Sequence, residues 1–118
     1  MNTRGELKIA DFGLSRILPD KSSLDDGMFQ MTKKVCTMWY RGPELLLGGN
    51  QYNASLDIWA AGCIFTEFYL RHPLFMTTFE DDDVGQIRQL NTVTQIVGMP
   101  TEETWPGTTH LLLWKCWK

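Results

Sequence analysis

A carboxylate, an aromatic ring and a glycine follow one another at Asp11, Phe12 and Gly13, within the stretch KIADFGLSR of residues 8–16. An aspartate on a turn after a short apolar strand can hold a divalent metal ion, because its ionised carboxylate offers hard oxygen ligands. Such a site needs partners, and only ten residues precede Asp11 in this chain. Average residue usage would produce the same triplet in roughly one or two per cent of chains of this size. Taken alone, the triplet favours a turn residue over a metal ligand.

The segments around this triplet must position it. Leu7 and Ile9 alternate with polar neighbours, which predicts a short strand over residues 6–10. Residues 13–34 then show no sustained periodicity and contain several turn-forming residues. This run predicts a long functional loop, with simple disorder as the alternative that composition leaves open.

Two helices follow. Residues 53–70 are apolar nearly all round, which predicts a helix buried in the middle of a core and ended by Pro73. Residues 82–97 predict a second, amphipathic helix that ends near Gly98. Its apolar stripe consists of Val84, Ile87, Leu90, Val93 and Val97. The aspartates at 81–83 favour a helix start over a metal site, because negative charge complements the helix dipole there.

Composition narrows the class of protein. The 118 residues are 43% hydrophobic and 21% charged, which is typical of one globular domain. A net charge of -3 gives no electrostatic reason to expect nucleic acid or an anionic membrane as a partner. Three widely spaced cysteines predict reduced thiols, and no apolar leader or membrane span is visible. These features favour an intracellular protein, nuclear or cytoplasmic.

Two downstream stretches change the interpretation of the triplet. They read VCTMWYRGPELLLGG over residues 35–49 and YNASLDIWAAGCIF over residues 52–65. With Asp-Phe-Gly before them, they resemble the activation segment and following helix of a protein kinase, most closely the cyclin-dependent kinase-like group. The stretch QIVGMPTEETWPG of residues 95–107 resembles the same group's next helix and its exit. The resemblance implies an α+β, mostly α fold, a partial kinase C-terminal lobe, over residues 1–107, with a divergent tail at 108–118.

The resemblance implies a role for each residue of the triplet. Asp11 would hold the Mg²⁺ ion that bridges the phosphates of ATP. Phe12 would pack into the core beneath it, and Gly13 would give the backbone freedom to switch between active and inactive settings.

Further positions match the activation segment of the family. Thr32 matches the activating phosphothreonine, and Arg16 matches one of the arginines that gather its phosphate. An unmodified loop threonine is the alternative at Thr32. Thr37 matches the threonine that contacts the catalytic aspartate in Ser/Thr-directed kinases.

The same resemblance implies a substrate pocket. Val35, Cys36, Trp39 and Arg41 match positions that shape the pocket for the residue after the phosphoacceptor, which in this group prefers proline. Such a pocket favours proline because it lacks a free acceptor for a backbone N–H, and proline has no N–H.

Two carboxylates match structural positions. Glu44 matches the glutamate that clamps the segment by pairing with a later arginine, and Gly42 in front of it is expected to loosen that clamp slightly. Asp57 matches a helical aspartate that accepts hydrogen bonds from the catalytic loop, and its apolar neighbours predict that it is buried.

The chain lacks other parts that phosphoryl transfer needs. It contains no Gly-rich loop, no lysine of the third kinase strand with its glutamate partner, and no His-Arg-Asp catalytic loop. We therefore expect part of a proline-directed Ser/Thr kinase that uses ATP, Mg²⁺, protein substrates and a cyclin-like subunit, but is inactive as this chain alone. We also expect exposed apolar surface, which the leucines and tryptophans of the tail would increase. The alternatives are a non-catalytic interaction module that displays a docking surface, and a product without a role.

Overall fold

The computed structural model describes residues 2–17, 36–49 and 53–117. Four α-helices lie within these ranges: α1 (Pro43–Leu46), α2 (Ser55–Leu70), α3 (Asp83–Val97) and α4 (Trp114–Trp117). Short 3-10 turns are found at Phe12–Leu14, Met38–Tyr40 and Thr108–His110. The fold is mostly α, as the sequence predicts.

The strand expected over residues 6–10 is not found, and no other strand occurs in the three described ranges. Leu7 and Ile9 are exposed, and the backbone hydrogen bonds of this segment close a local turn around Asn2 and Glu6. Alternation of side chains is not sufficient for a strand, because a strand also needs a neighbour for its backbone groups.

Helix α2 has close to its predicted limits. The side chain of Asn53 accepts a hydrogen bond from the Ser55 N–H at 2.8 Å, next to the first turn. At the other end Arg71 takes a left-handed conformation with φ 64°, and Pro73 follows. The prediction of a buried helix is wrong, however, since Cys63 is its one buried residue. Because α2 is apolar on all sides, packing on one side leaves large side chains of the other sides exposed.

Helix α3 confirms the second predicted helix. The Asp82 carboxylate accepts a hydrogen bond from the Gly85 N–H at 2.6 Å, so the acidic run caps the helix. Within the predicted apolar stripe Leu90 and Val93 are buried, whereas Val84 and Val97 are exposed. Gln86 and Gln89 are buried instead.

The core combines residues from distant parts of the chain. It consists of Met38, Leu46, Leu47, Cys63, Phe75, Leu90, Val93 and Trp114. Trp114 belongs to the tail and is only 7% exposed, and the nearby Leu113 N–H donates to the Leu47 carbonyl at 3.0 Å. The tail therefore covers part of the core, although Leu112 remains exposed as expected.

Candidate active site and substrate pocket

Asp11 lies on an exposed turn in an unusual backbone conformation. Its φ is 62° and its ψ 71°, in the left-handed region that non-glycine residues rarely occupy. The Gly13 N–H donates to Asp11 Oδ1 at 3.4 Å, and a Cβ at Gly13 would lie 3.3 Å from the same oxygen. Phe12 is 66% exposed, so the expected packing beneath Asp11 is not found among the described residues.

The carboxylate of Asp11 could supply one of the ligands of a Mg²⁺ ion. Mg²⁺ is commonly held by one or two carboxylates, and substrate phosphates and water complete its shell. No cluster of three or more metal-ligating side chains occurs in the part of the chain that the structure describes. Asp11 can thus supply one hard oxygen ligand, and the remaining ligands would have to come from a nucleotide, from water and from other parts of a kinase.

Of the residues predicted to act around the phosphothreonine, Arg16 is described by the structure. Arg16 is exposed, and its Nη1 donates to the Ser15 carbonyl at 2.8 Å. Thr32 and Val35 lie outside the described residues. The phosphothreonine role of Thr32 and the pocket role of Val35 remain predictions.

Cys36 and Arg41 form the best-defined contact at the predicted pocket. Cys36 has a φ of 56°, and Arg41 Nη2 donates to its carbonyl oxygen at 3.0 Å. The Arg41 side chain is 1% exposed, and its guanidinium also meets the Asp81 carboxylate in a two-point ion pair at 2.7 and 3.0 Å. Arg41 is therefore buried, paired with Asp81 through two hydrogen bonds, and bound to the carbonyl of the left-handed residue Cys36.

The electrostatics agree with this geometry. The pKa of Arg41 is raised, chiefly by its hydrogen bonds to Asp81, which outweigh the opposing effect of burial. Burial raises the pKa of the Cys36 thiol, although the charge of Arg41 acts in the opposite direction. The pocket thus holds a stable cation beside a neutral thiol.

The two residues before Arg41 are also anchored. Trp39 Nε1 donates to the Thr77 carbonyl at 2.8 Å, and the Tyr40 hydroxyl donates to Glu67 Oε2 at 2.8 Å. The second bond raises the pKa of the Tyr40 hydroxyl, because the neighbouring carboxylate favours the protonated phenol. Three consecutive side chains are thus bound to α2 or to the loop that leads into α3.

Thr37 lies between Cys36 and the anchored segment. It is exposed, and its carbonyl accepts the Tyr40 N–H at 3.0 Å while Met38 beside it is buried. An exposed hydroxyl on a fixed backbone is compatible with the predicted contact to a catalytic aspartate, which remains a prediction.

Glu44 is half-buried in the first turn of α1. Burial raises the pKa of its carboxyl group, and no ion pair to it is present among the described residues. A Cβ at Gly42 would come within 2.6 Å of both Glu44 Oε2 and Leu56 Cδ2. Gly42 therefore allows Glu44 to fold closely over the backbone, which is a role that sequence reasoning missed.

Asp57 is exposed in the first turn of α2, so its predicted burial is wrong. Asp57 faces solvent because α2 packs against the core on one side only. Its negative charge is favourable near the start of a helix. Its predicted hydrogen bonds to a catalytic loop remain untested.

Comparison with known proteins decides the family. The family model described as "Protein kinase domain" matches residues 1–118. The chain belongs to the protein kinase domain family.

The relatives of this kinase chain include cyclin-dependent kinases, to which it is similar. It is 47% identical over 109 residues to cyclin-dependent kinase C-3 from Oryza sativa subsp. japonica, covering 92% of this chain and 30% of that protein. It is 42% identical over 113 residues to cyclin-dependent kinase 12 from Drosophila melanogaster, covering 96% of this chain and 9% of that protein. The chain thus spans less than a third of the length of these relatives, and it is a cyclin-dependent kinase-like segment.

Solved kinase structures agree. The CAK complex from Chaetomium thermophilum bound to ATP-gamma-S contains a chain that superposes with a TM-score of 0.73 and 38% identity, over 95% of this chain and 31% of that one. The yeast RNA Pol II CTD kinase CTDK-1 complex gives a TM-score of 0.77 and 31% identity, over 95% and 33%. These comparisons confirm a mostly helical, partial kinase lobe.

The predicted pocket segment is held by residues to which the sequence assigns another role or none. From the sequence, Asp81 is interpreted only as part of a helix start, and no role is predicted for Thr77 or Glu67. Arg41 and Asp81 are 40 positions apart, so no local pattern predicts their contact. The sequence offers one indication of a further role for this acidic run: it contains three aspartates, whereas a helix cap needs one.

Proposed function

We propose that this chain supplies the substrate pocket and the metal-holding aspartate of a proline-directed protein Ser/Thr kinase. The parent kinase transfers the γ-phosphoryl group of ATP to a serine or threonine that precedes proline. Family membership supports the reaction class, and the contact between Arg41 and the left-handed Cys36 carbonyl supports the proline preference.

The preference follows from the hydrogen bonds that the pocket can offer. The Cys36 carbonyl accepts from Arg41 Nη2 at 3.0 Å, so we expect it to be directed at the arginine and not at the backbone of a bound peptide. An ordinary residue after the phosphoacceptor would bury an N–H without a partner, which costs about 1–3 kcal/mol. Proline has no N–H and avoids this cost.

The reaction assigns separate tasks to Asp11 and Thr37. When bound, Mg²⁺ supplies positive charge that neutralises the phosphate oxygens during transfer. Asp11 would hold that ion through its carboxylate, and Thr37 would orient the catalytic aspartate, which is not in this chain. The substrate hydroxyl oxygen forms the new bond to the γ-phosphorus and gives its proton to the catalytic aspartate of the parent kinase. The bond between the γ-phosphorus and the β–γ bridging oxygen breaks, and ADP leaves.

ATP and a cyclin-like subunit belong to the same proposal. A similar kinase structure carries ATP-gamma-S, and both similar structures are named as complexes. Phosphorylation of Thr32 would order the activation segment through Arg16 and other arginines of the parent protein.

Residues 1–118 by themselves should not catalyse transfer. Phosphoryl transfer depends on several positioned charges, and this chain offers the single carboxylate of Asp11. Calorimetric titration of the purified chain with Mg²⁺ and ATP should therefore show no binding. Measurable affinity would contradict this part of the proposal.

A graft tests the activity itself. Residues 2–107 replace the matching segment of rice cyclin-dependent kinase C-3, and kcat/KM is measured for peptides with serine–proline or serine–alanine at the acceptor. We expect a preference for proline of at least about tenfold, because one unmatched N–H is avoided. Asp11→Asn should abolish transfer, whereas Asp26→Asn in the same segment should not. Equal use of the two peptides, or a folded but inactive graft, would contradict the proposal.

A further inference from the structure

The loop that leads into α3 contacts the pocket arginine through Asp81. Both oxygens of the Asp81 carboxylate accept from Arg41, at 2.7 and 3.0 Å, and the carboxylate remains 44% exposed while the Arg41 side chain is 1% exposed. The arginine enters this contact from within the core, and the aspartate approaches from the surface.

A buried guanidinium keeps its charge, so its orientation depends on the acceptors that surround it. The planar fork of Arg41 matches the two oxygens of a carboxylate, which fixes the plane and the direction of the group. With Nη1 and Nη2 both directed at Asp81, the remaining N–H of Nη2 is directed at the Cys36 carbonyl. Asp81 therefore determines where the donor to Cys36 lies.

The Cys36 backbone needs this support. Its φ of 56° places it in the left-handed region, which a non-glycine residue occupies only when its surroundings impose it. Without the Arg41 donor, Cys36 would relax to an extended conformation and its carbonyl would turn. That carbonyl could then accept the backbone N–H of a peptide.

The position of Asp81 is itself fixed by α3. Asp82, the next residue, caps the helix through the Gly85 N–H at 2.6 Å. Thr77, on the other side of the loop, holds Trp39 Nε1 through its carbonyl at 2.8 Å. The loop between Thr77 and Asp82 thus contacts the pocket segment at two points and transmits the position of α3 to it.

We propose that Asp81 is the positioning residue for proline selection, because it orients Arg41 and thereby keeps the Cys36 carbonyl unavailable to the peptide. This proposal rests on the proposed function, since it concerns the same pocket. It assigns to Asp81 a role in specificity that does not require contact with the substrate.

The test uses the full 118-residue chain with isotope labels. Binding of a serine–proline peptide and of a serine–alanine peptide is followed by NMR, and the ratio of the two affinities is compared among variants. The scalar coupling that reports the φ of Cys36 is measured in the same samples without peptide. Asp83→Asn is the matched control. It also removes one negative charge near the start of α3, but at a residue in the first turn of the helix.

We expect the wild-type ratio to favour proline by about tenfold, as one hydrogen bond to a buried group is worth. Asp81→Asn should reduce this ratio to about threefold or less and shift the Cys36 coupling towards the extended value. Asp81→Glu keeps the charge but displaces it by one methylene group, so it should give an intermediate ratio. Asp83→Asn should leave both readouts at their wild-type values.

The outcomes separate the two proposals. A wild-type chain that does not distinguish the peptides contradicts the proline pocket, and the Cys36 coupling alone then decides whether Asp81 holds the backbone. A wild-type preference that persists in Asp81→Asn overturns the role of Asp81 and leaves the pocket intact. If Asp81→Asn does not fold, a wild-type ratio in Asp81→Glu overturns the role instead.

Discussion

Two charged side chains show how single residues are held at this site. Arg41 is almost fully buried, and its ion pair with Asp81 raises its pKa. Glu44 is half-buried, and burial raises its pKa because no described cation is paired with it. A buried charge with a partner supports the local structure, whereas a buried charge without one destabilises the folded state.

Glu44→Gln should stabilise this chain at neutral pH. The pKa of Glu44 is higher in the folded state than in the unfolded state, so folding is favoured when the group is protonated. That contribution is present at low pH and is lost as the pH rises from the unfolded value through the raised folded value. Glu44→Gln should therefore raise the thermal midpoint at pH 7, measured by circular dichroism. It should also remove the part of the decrease in midpoint that Glu44 causes as the pH rises through the mildly acidic range.

The exposed Glu103 provides the control, since Glu103→Gln should change neither quantity. In the graft, where the predicted clamp arginine is present, Glu44→Gln should lower the thermal midpoint instead. A lower midpoint in both proteins would show that Glu44 already has a stabilising partner within this chain.

At the scale of the elements, caps and proline in the sequence predicted the helix limits, which are set by local interactions. The limits of α2 and α3 follow from a cap at Asp82 and from Pro73, and both helices are found. The strand over residues 6–10 and the burial of α2 were wrong, because each depends on a neighbour that sequence periodicity does not specify. The Arg41–Asp81 pair was beyond prediction for the same reason, although Arg41 itself was assigned to the pocket.

The start of α3 is close-packed, and Gly85 tests this. A Cβ at Gly85 would lie 1.8 Å from the Glu80 carbonyl oxygen, which belongs to the backbone and cannot move without the loop. Gly85→Ala should therefore lower the free energy of unfolding by about 2–3 kcal/mol or more, measured by urea unfolding. It should also weaken the pairing of Arg41 with Asp81 in the adjoining loop.

Gly62, in the middle of α2, is the matched control. A Cβ there would meet nothing within 4 Å, so Gly62→Ala should raise the free energy of unfolding by about 0.5–1 kcal/mol through helix propensity. Equal effects of the two substitutions would contradict the packing at the start of α3.

At the scale of the whole molecule, the described residues form one core, and helix α2 is largely uncovered. The core joins residues from Met38 to Trp114, so the tail contributes to the same unit as the pocket. On α2, the large apolar side chains Ile58, Phe65 and Tyr69 are exposed. No described helix is both long enough and apolar enough to cross a lipid bilayer.

This exposed side of α2 predicts that the isolated chain self-associates, because apolar patches of this kind are removed from water by contact between copies. The double substitution Phe65→Glu and Tyr69→Glu should increase the monomer fraction in sedimentation velocity. Leu112→Glu, at an exposed position on the tail, should have little effect. A native chain that sediments as a monomer at high concentration would contradict this expectation.

The central proposal is that the pocket selects proline because the Cys36 carbonyl is directed at Arg41 and is not presented to the N–H of the peptide. The most direct measurement compares, in the graft, kcat/KM for three peptides with proline, alanine or N-methylalanine after the serine. N-methylalanine lacks the N–H but also lacks the ring of proline. We expect the kinase to use the N-methylalanine peptide nearly as well as the proline peptide and much better than the alanine peptide. If N-methylalanine is used as poorly as alanine, the missing N–H is not the basis of selection and the account is wrong.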